Sequence, residues 1–259
     1  MLPSLNPVQT QPRILRTYTA LHSLRSDRNG DWGGALIIAC GLNPQGAALA
    51  LASNIAGAVC LNIEDDPTAL KEAIRSGCCD FIVNTLDEAL RAMKNEVRKH
   101  LPLSVGLQGN PTLILQELLE RGVSPQLFTD LTHNPDHLEA ILRFKASGTL
   151  IVNFDTNRSV EEEEGILNAD ALIEAFVHPR RWHLDSFLFD TPAALRTFDT
   201  YAMSLIPEDD SLRRRWLLSA PRILHRERPI HRAFWVTEDD RELLQQKLNP
   251  TPHANSQKS

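Results

Sequence analysis

The residues best placed to do chemistry lie in the stretch Cys40-Gly41-Leu42-Asn43-Pro44-Gln45-Gly46 and at Glu64. A glycine-bearing turn between a strand and a helix lets the backbone approach a diphosphate, which the helix N-terminus then holds with its free N–H groups. Gly41 and Gly46 suit the tight turn and the close helix packing of such a loop. Asn43, however, stands where a G-x-G-x-x-G pattern has its middle glycine, and Pro44 removes one backbone donor. The spacing leaves two readings open, a phosphate loop and a plain strand-to-helix turn. Glu64 ends the next apolar run, where an acid can accept both ribose hydroxyls of an adenosine and exclude a 2′-phosphate. Alternatively, Glu64-Asp65-Asp66 only caps the helix that follows.

Other clusters point away from chemistry. His133 and His137 could share one helical face, but Pro135 lies between them and no carboxylate cluster completes a site, so no metal is expected. The four cysteines (Cys40, Cys60, Cys78, Cys79) have spacings that suit neither zinc nor an easy disulfide, and read as buried thiols in a reducing cytoplasm. Residues 213–232 hold seven arginines. They could clasp a phosphate or an acidic partner, or pair with Asp209-Asp210 and Glu161–Glu164; the net charge of −6 favours the pairing. No serine, threonine or cysteine has an evident base and orienting group, so covalent catalysis has no support.

The elements that must position these residues alternate regularly. Apolar runs at Ala35–Cys40, Ala58–Ile63, Phe81–Val83, Leu103–Gly106, Gln126–Phe128 and Thr149–Phe154 are separated by helical segments with caps at Asp66, Thr85 and Asn110. Six strands with intervening helices predict an α/β fold with a doubly wound, mostly parallel Rossmann-like sheet. After Phe154 the rhythm changes. An acidic helix start at Ser159 and Glu161–Glu164 predicts a helix to about Phe176, followed by helices over 192–205 and 209–218, with one further strand to be considered at Arg232–Val236. The organisation expected is an N-terminal segment (1–30), a Rossmann-like domain (31–154), a mainly helical extension (155–248) and a disordered tail (249–259).

Composition is that of a globular protein, with 42% apolar and 23% charged residues. The acidic balance argues against nucleic acid and acidic membrane surfaces as partners. No apolar run approaches the roughly 20 residues that span a bilayer, and the N-terminus does not read as a secretory signal. A cytoplasmic protein is expected, with a nucleotide or small molecule and a second copy of the chain as the partners to consider.

Beyond these local signals, Gly41-Leu42 through Gly46-Ala47, Ala56–Leu61 with Glu64, Gly106-Leu-Gln-Gly-Asn110, Glu117–Val123 and Thr129-Asp130-Leu-Thr132 follow one another in the order and spacing of urocanase. Residues 35–135 therefore resemble the NAD-binding domain of the urocanase (urocanate hydratase) family, whereas 1–30 and 155–259 carry no such match. The resemblance implies a Rossmann-like fold and an NAD⁺ that stays bound and acts as an electrophile toward an imidazole substrate. It assigns cofactor contacts to Gly41, Gln45, Gly46, Glu64, Asn110 and Thr132. The departures are as informative. Asn43 and Pro44 alter the phosphate loop, Ala69 stands where the family has a basic residue, and Leu131 replaces a glutamine. The family's active-site cysteine has no equivalent among the four here. The expectation is a truncated, non-hydrating relative with a nucleotide-binding or interaction role. The alternative is an NAD-dependent hydratase or lyase acting on urocanate or a related imidazole; no catalytic residue is assigned in either case.

Overall fold

Five residues, Leu36–Cys40, the last four of them buried, form the axis of the molecule. This strand, β1, pairs in parallel with β2 (Val59–Glu64) on one side and with β5 (Leu127–Asp130) on the other. The computed structural model describes residues 7–155, 165–224 and 228–248. Beyond β2 lie β4 (Leu103–Gln108) and then β3 (Phe81–Val83); beyond β5 lie β6 (Leu150–Asn153) and β7 (Leu167–Asn168). All neighbours are parallel, in the order β3-β4-β2-β1-β5-β6-β7. The direction of winding reverses at β1, so the carboxyl ends of β1 and β5 flank the switch point at which such sheets bind ligands.

Both faces of the sheet are covered, as continuous apolar strands require. On one face pack α1 (Pro7–Leu24), α2 (Pro44–Ala56), α3 (Pro67–Ser76) and α7 (Ala169–Val177). The other face carries α4 (Leu86–Lys99), α5 (Pro111–Glu120) and α6 (Leu138–Ala146). Local chemistry fixes the boundaries. The side chains of Asn43, Asp66, Thr85 and Asn110 each accept a backbone N–H at a helix start, and proline occupies the first turn of α2, α3 and α5. Gly57 and Gly77 close α2 and α3 in the left-handed conformation.

The first and last parts of the chain meet. Helix α1 lies on α2 and buries Ile14, Leu15, Tyr18 and Leu21. Beyond the sheet, β8 (His183–Leu188) and β9 (His231–Val236) form an antiparallel pair, with α8 (Pro192–Leu205), α9 (Ser211–Ile223) and α10 (Glu238–Leu248) around it. Gln11 of α1 donates to His231 O at 3.0 Å and accepts from Ala233 N at 3.1 Å, so its carboxamide extends the β9 ladder. Trp235 Nε1 donates to Thr19 Oγ1 at 2.8 Å. The apolar side chains of α1, α2, α7, α8, α9 and β9 belong to a single cluster.

The second half departs from the sequence reading in two places. Residues 155–248 contain strands β7, β8 and β9 as well as helices. The helix expected from Ser159 starts only at Ala169, capped by Asn168, because Leu167–Asn168 first completes a seventh strand; Ser159 and Glu161–Glu164 lie outside the described residues, as does the tail 249–259. In the arginine-rich stretch the pairing that the charge balance favoured is seen for three arginines. Arg213 bonds Asp210 and Asp240, Arg215 bonds Asp31, and Arg232 grips Asp199 with two bonds at 2.9 and 2.8 Å. Residues 225–227 of that stretch are outside the described residues.

Candidate functional site at the switch point

Strand β1 ends at Cys40, and Gly41 turns the chain at φ +99°. That conformation needs glycine, and a Cβ would also lie 3.1 Å from Thr132 Cγ2. Five residues later α2 passes so close to the turn that a Cβ on Gly46 would fall inside the van der Waals envelope of Gly41 O and 3.1 Å from its carbonyl carbon. The two glycines thus keep the tight turn and the close helix–strand approach. Between them, Asn43 takes extended dihedrals and folds its carboxamide back over the start of the helix. Its Oδ1 accepts from Gln45 N at 2.9 Å and from Gly46 N at 3.0 Å, and its Nδ2 donates to Leu131 O at 3.3 Å.

The neighbouring backbone donors are engaged as well. Gly41 N donates to Ile63 O at 2.9 Å, and Ala47 N to Asn43 O at 3.0 Å. Leu42 N donates to Glu64 Oε2 at 2.7 Å, while Asp66 N donates to Glu64 Oε1 at 3.0 Å. Glu64 therefore clamps the α2 turn to the start of α3, and Asp66, which accepts from Thr68 N at 2.7 Å, caps α3.

Gly41, Gln45, Gly46, Glu64 and Thr132 gather around the carboxyl end of β1. The side chain of Gln45 turns toward α1, where its Nε2 donates to Thr17 Oγ1 at 2.9 Å. Thr132 donates its backbone N–H (3.0 Å) and its hydroxyl (2.6 Å) to Asp130 Oδ1. Asn110 stands apart, beyond β2 at the end of β4; it caps α5 through Leu113 N at 3.2 Å and lines a cavity of about 390 Å³ with Asn84, Thr85 and Gln108.

A second cavity, of about 370 Å³, opens beside Gln45 and is lined by Arg13, Arg16, Thr17, Phe154 and Asp170 among others, with Arg16 and Asp170 paired at 2.7 Å. Sequence reasoning missed the contribution of α1 to this edge. The signal was present in the helical spacing of Ile14, Leu15, Tyr18 and Leu21.

Beneath the turn, on the α5/α6 face, Cys40, Asp130 and His137 come together. Cys40 and Asp130 are register partners on β1 and β5. His137, in the 3-10 turn Pro135–His137, sets its Nδ1 3.0 Å from Asp130 Oδ2. Burial pushes the Cys40 thiol well above its ordinary pKa, and the Asp130 and Glu64 carboxylates add to the shift. His133, the other half of the histidine pair noted in the sequence, points elsewhere and meets Asp155 at 2.8 Å.

A doubly wound parallel sheet with a glycine turn, a helix N-terminus and an acid at the end of the second strand is a Rossmann-like α/β domain. The family model of the urocanase Rossmann-like domain matches residues 10–142, slightly more than half of the 259-residue chain. The chain belongs to the urocanase family. The match starts within α1, so it takes in 25 residues before Ala35 that the motifs alone did not connect to the family.

The family's cofactor can be tested against this geometry. A pyrophosphate at the α2 N-terminus needs N–H groups free to turn toward it. Here Gln45 N and Gly46 N are taken by Asn43 Oδ1, Leu42 N is taken by Glu64, and Pro44 has no N–H to offer. As arranged, this turn does not fit a pyrophosphate.

Proposed function

We propose that this chain is a non-hydrating member of the urocanase family, one that keeps the Rossmann-like scaffold for a small-molecule binding or interaction role. The Asn43 carboxamide carries the reading. Its oxygen accepts the two N–H groups that a phosphate oxygen would take, so the helix start satisfies itself. Glu64 is similarly committed, with one carboxylate oxygen on each of two backbone donors. A small ligand has the cavity lined by Arg13, Arg16 and Thr17 available at the same edge of the sheet.

The alternative, an NAD-dependent hydratase or lyase acting on an imidazole substrate, draws on the gathering of Gly41, Gly46, Glu64 and Thr132 at the carboxyl end of β1. Two measurements separate the readings. Mass spectrometry of freshly purified, denatured protein is expected to find no stoichiometric NAD, and urocanate is expected to keep its ultraviolet absorbance when incubated with the chain and added NAD⁺. Bound NAD together with urocanate turnover would overturn the proposal. Calorimetry on Asn43→Gly adds a structural control, because removing the carboxamide should create or strengthen nucleotide binding.

A further inference from the structure

We propose that Cys40, Asp130 and His137 form a binding site for a divalent transition metal, with zinc the best match to their chemistry. One ligand atom from each lies within 4.8 Å of the other two. The set joins a sulfur, a carboxylate oxygen and an imidazole nitrogen, a mixture that suits zinc and disfavours magnesium or calcium. Zinc bound to three such donors keeps a fourth position for water or another small ligand.

Placement and burial strengthen the case. Cys40 and His137 are 0% and 1% exposed, and only the Asp130 carboxylate approaches the surface, its side chain 8% exposed. His137 Nδ1 lies 3.0 Å from Asp130 Oδ2, so an ion held between them would take the place of that hydrogen bond. Asp130 is oriented as ligating carboxylates are: Thr132 holds Oδ1 with two donors, while Oδ2 faces His137. Ligand atoms around a tetrahedral zinc stand roughly 3.3–3.8 Å apart, given metal–ligand bonds of about 2.0–2.3 Å. The cluster would close by about 1 Å at its widest separation and open slightly between Asp130 and His137.

Asp130 lies in one of the motifs that carry the family resemblance, whereas Cys40 and His137 lie outside them. The members of the site come from β1, β5 and the turn before α6, so a bound ion would tie the two strand ends that flank the switch point to each other and to the next helix. The site is also independent of the self-capped α2 turn, and metal binding is measured without nucleotide or urocanate.

The test uses the full chain, stripped by a chelator and then loaded with Zn²⁺ or Co²⁺. One equivalent is expected to bind and to raise the melting temperature, and Co²⁺ should give a thiolate-to-cobalt charge-transfer band in the near ultraviolet. Cys40→Ser should abolish that band, and His137→Ala should weaken binding at least tenfold. X-ray absorption on the zinc-loaded natural sequence reads the ligands without any substitution, and one sulfur neighbour with nitrogen or oxygen completing the shell is expected. No binding to the folded chain, a shell with no sulfur, or a shell with two sulfurs, which Cys78 and Cys79 would supply, overturns the assignment. The absorption result decides the matter even where a variant does not fold.

Discussion

Replacing Gly46 with alanine asks whether that glycine serves packing or a ligand. The added methyl group would meet Gly41 O within its van der Waals envelope and the Gly41 carbonyl carbon at 3.1 Å, against a comfortable carbon–carbon separation of about 3.5–4.0 Å. The obstacle is backbone, so no side-chain rotation relieves it; the first turn of α2 must retreat by about an ångström. That movement strains the Asn43 cap, whose bonds are 2.9 and 3.0 Å, and disturbs the buried Ala48–Ala52 stretch behind it. Overpacking of this kind costs about 1–3 kcal/mol, and the better helix propensity of alanine returns up to about 1 kcal/mol. Taking the middle of the overpacking range, a net loss of about 1–2 kcal/mol follows, or roughly 2–8 °C in melting temperature for a chain of this size. Thermal and urea unfolding followed by circular dichroism measure it. A variant as stable as the parent, or more stable, would refute the view that close packing alone is enough to demand Gly46.

Three further perturbations probe neighbouring features. Glu64→Ala removes the acceptor of Leu42 N and Asp66 N and should cost about 1–2 kcal/mol in urea unfolding, whereas an acid held free for a ribose would cost nothing in the protein alone. Asp199→Ala leaves the Arg232 guanidinium buried without its two-pronged partner and should cost about 3–5 kcal/mol; a loss under 1 kcal/mol would mean that the pair is not closed in solution. Burial lowers the His22 pKa to about 4, from an ordinary value of 6.5. Between these values the unfolded chain takes up a proton that the folded chain refuses, so stability should fall as pH drops from about 6.5 toward 4, with a slope approaching about 1.4 kcal/mol per pH unit from this group. His22→Gln should flatten that part of the profile measured by urea titration, and an unchanged slope would rule the group out.

The parallel core was legible because its signals are local. Ala35–Cys40 and Ala58–Ile63 are continuous apolar runs, and Asp66-Pro67 and Asn110-Pro111 announce helix starts by residue type alone. Other parts depend on partners distant in the chain. Strand β8, His-Leu-Asp-Ser-Phe-Leu, has a weak alternation and becomes a strand by pairing with β9 more than 40 residues later. Strand β7 has two residues, too few for any periodicity, and exists because β6 offers an edge. At the turn, Asn43 and Pro44 marked the departure from a phosphate loop, but only the fold reveals that Asn43 also fills the helix start. Cys40, Asp130 and His137 come from separate elements, so no spacing rule could unite them.

The grip of Gln11 on β9 has a consequence for how the chain comes to be folded. The two bonds it makes join residues 220 and 222 positions apart. Contacts so distant pay their loop-closure entropy late, after local structure has formed. During synthesis this helix leaves the ribosome well before the strand it must dock against, which is made some 220 residues later. Throughout that interval the apolar side of that helix, with Ile14, Leu15, Tyr18 and Leu21, has only α2 and the growing sheet to shelter it. The nascent chain is therefore most exposed to chaperones and to aggregation in the interval before residues 231–236 emerge.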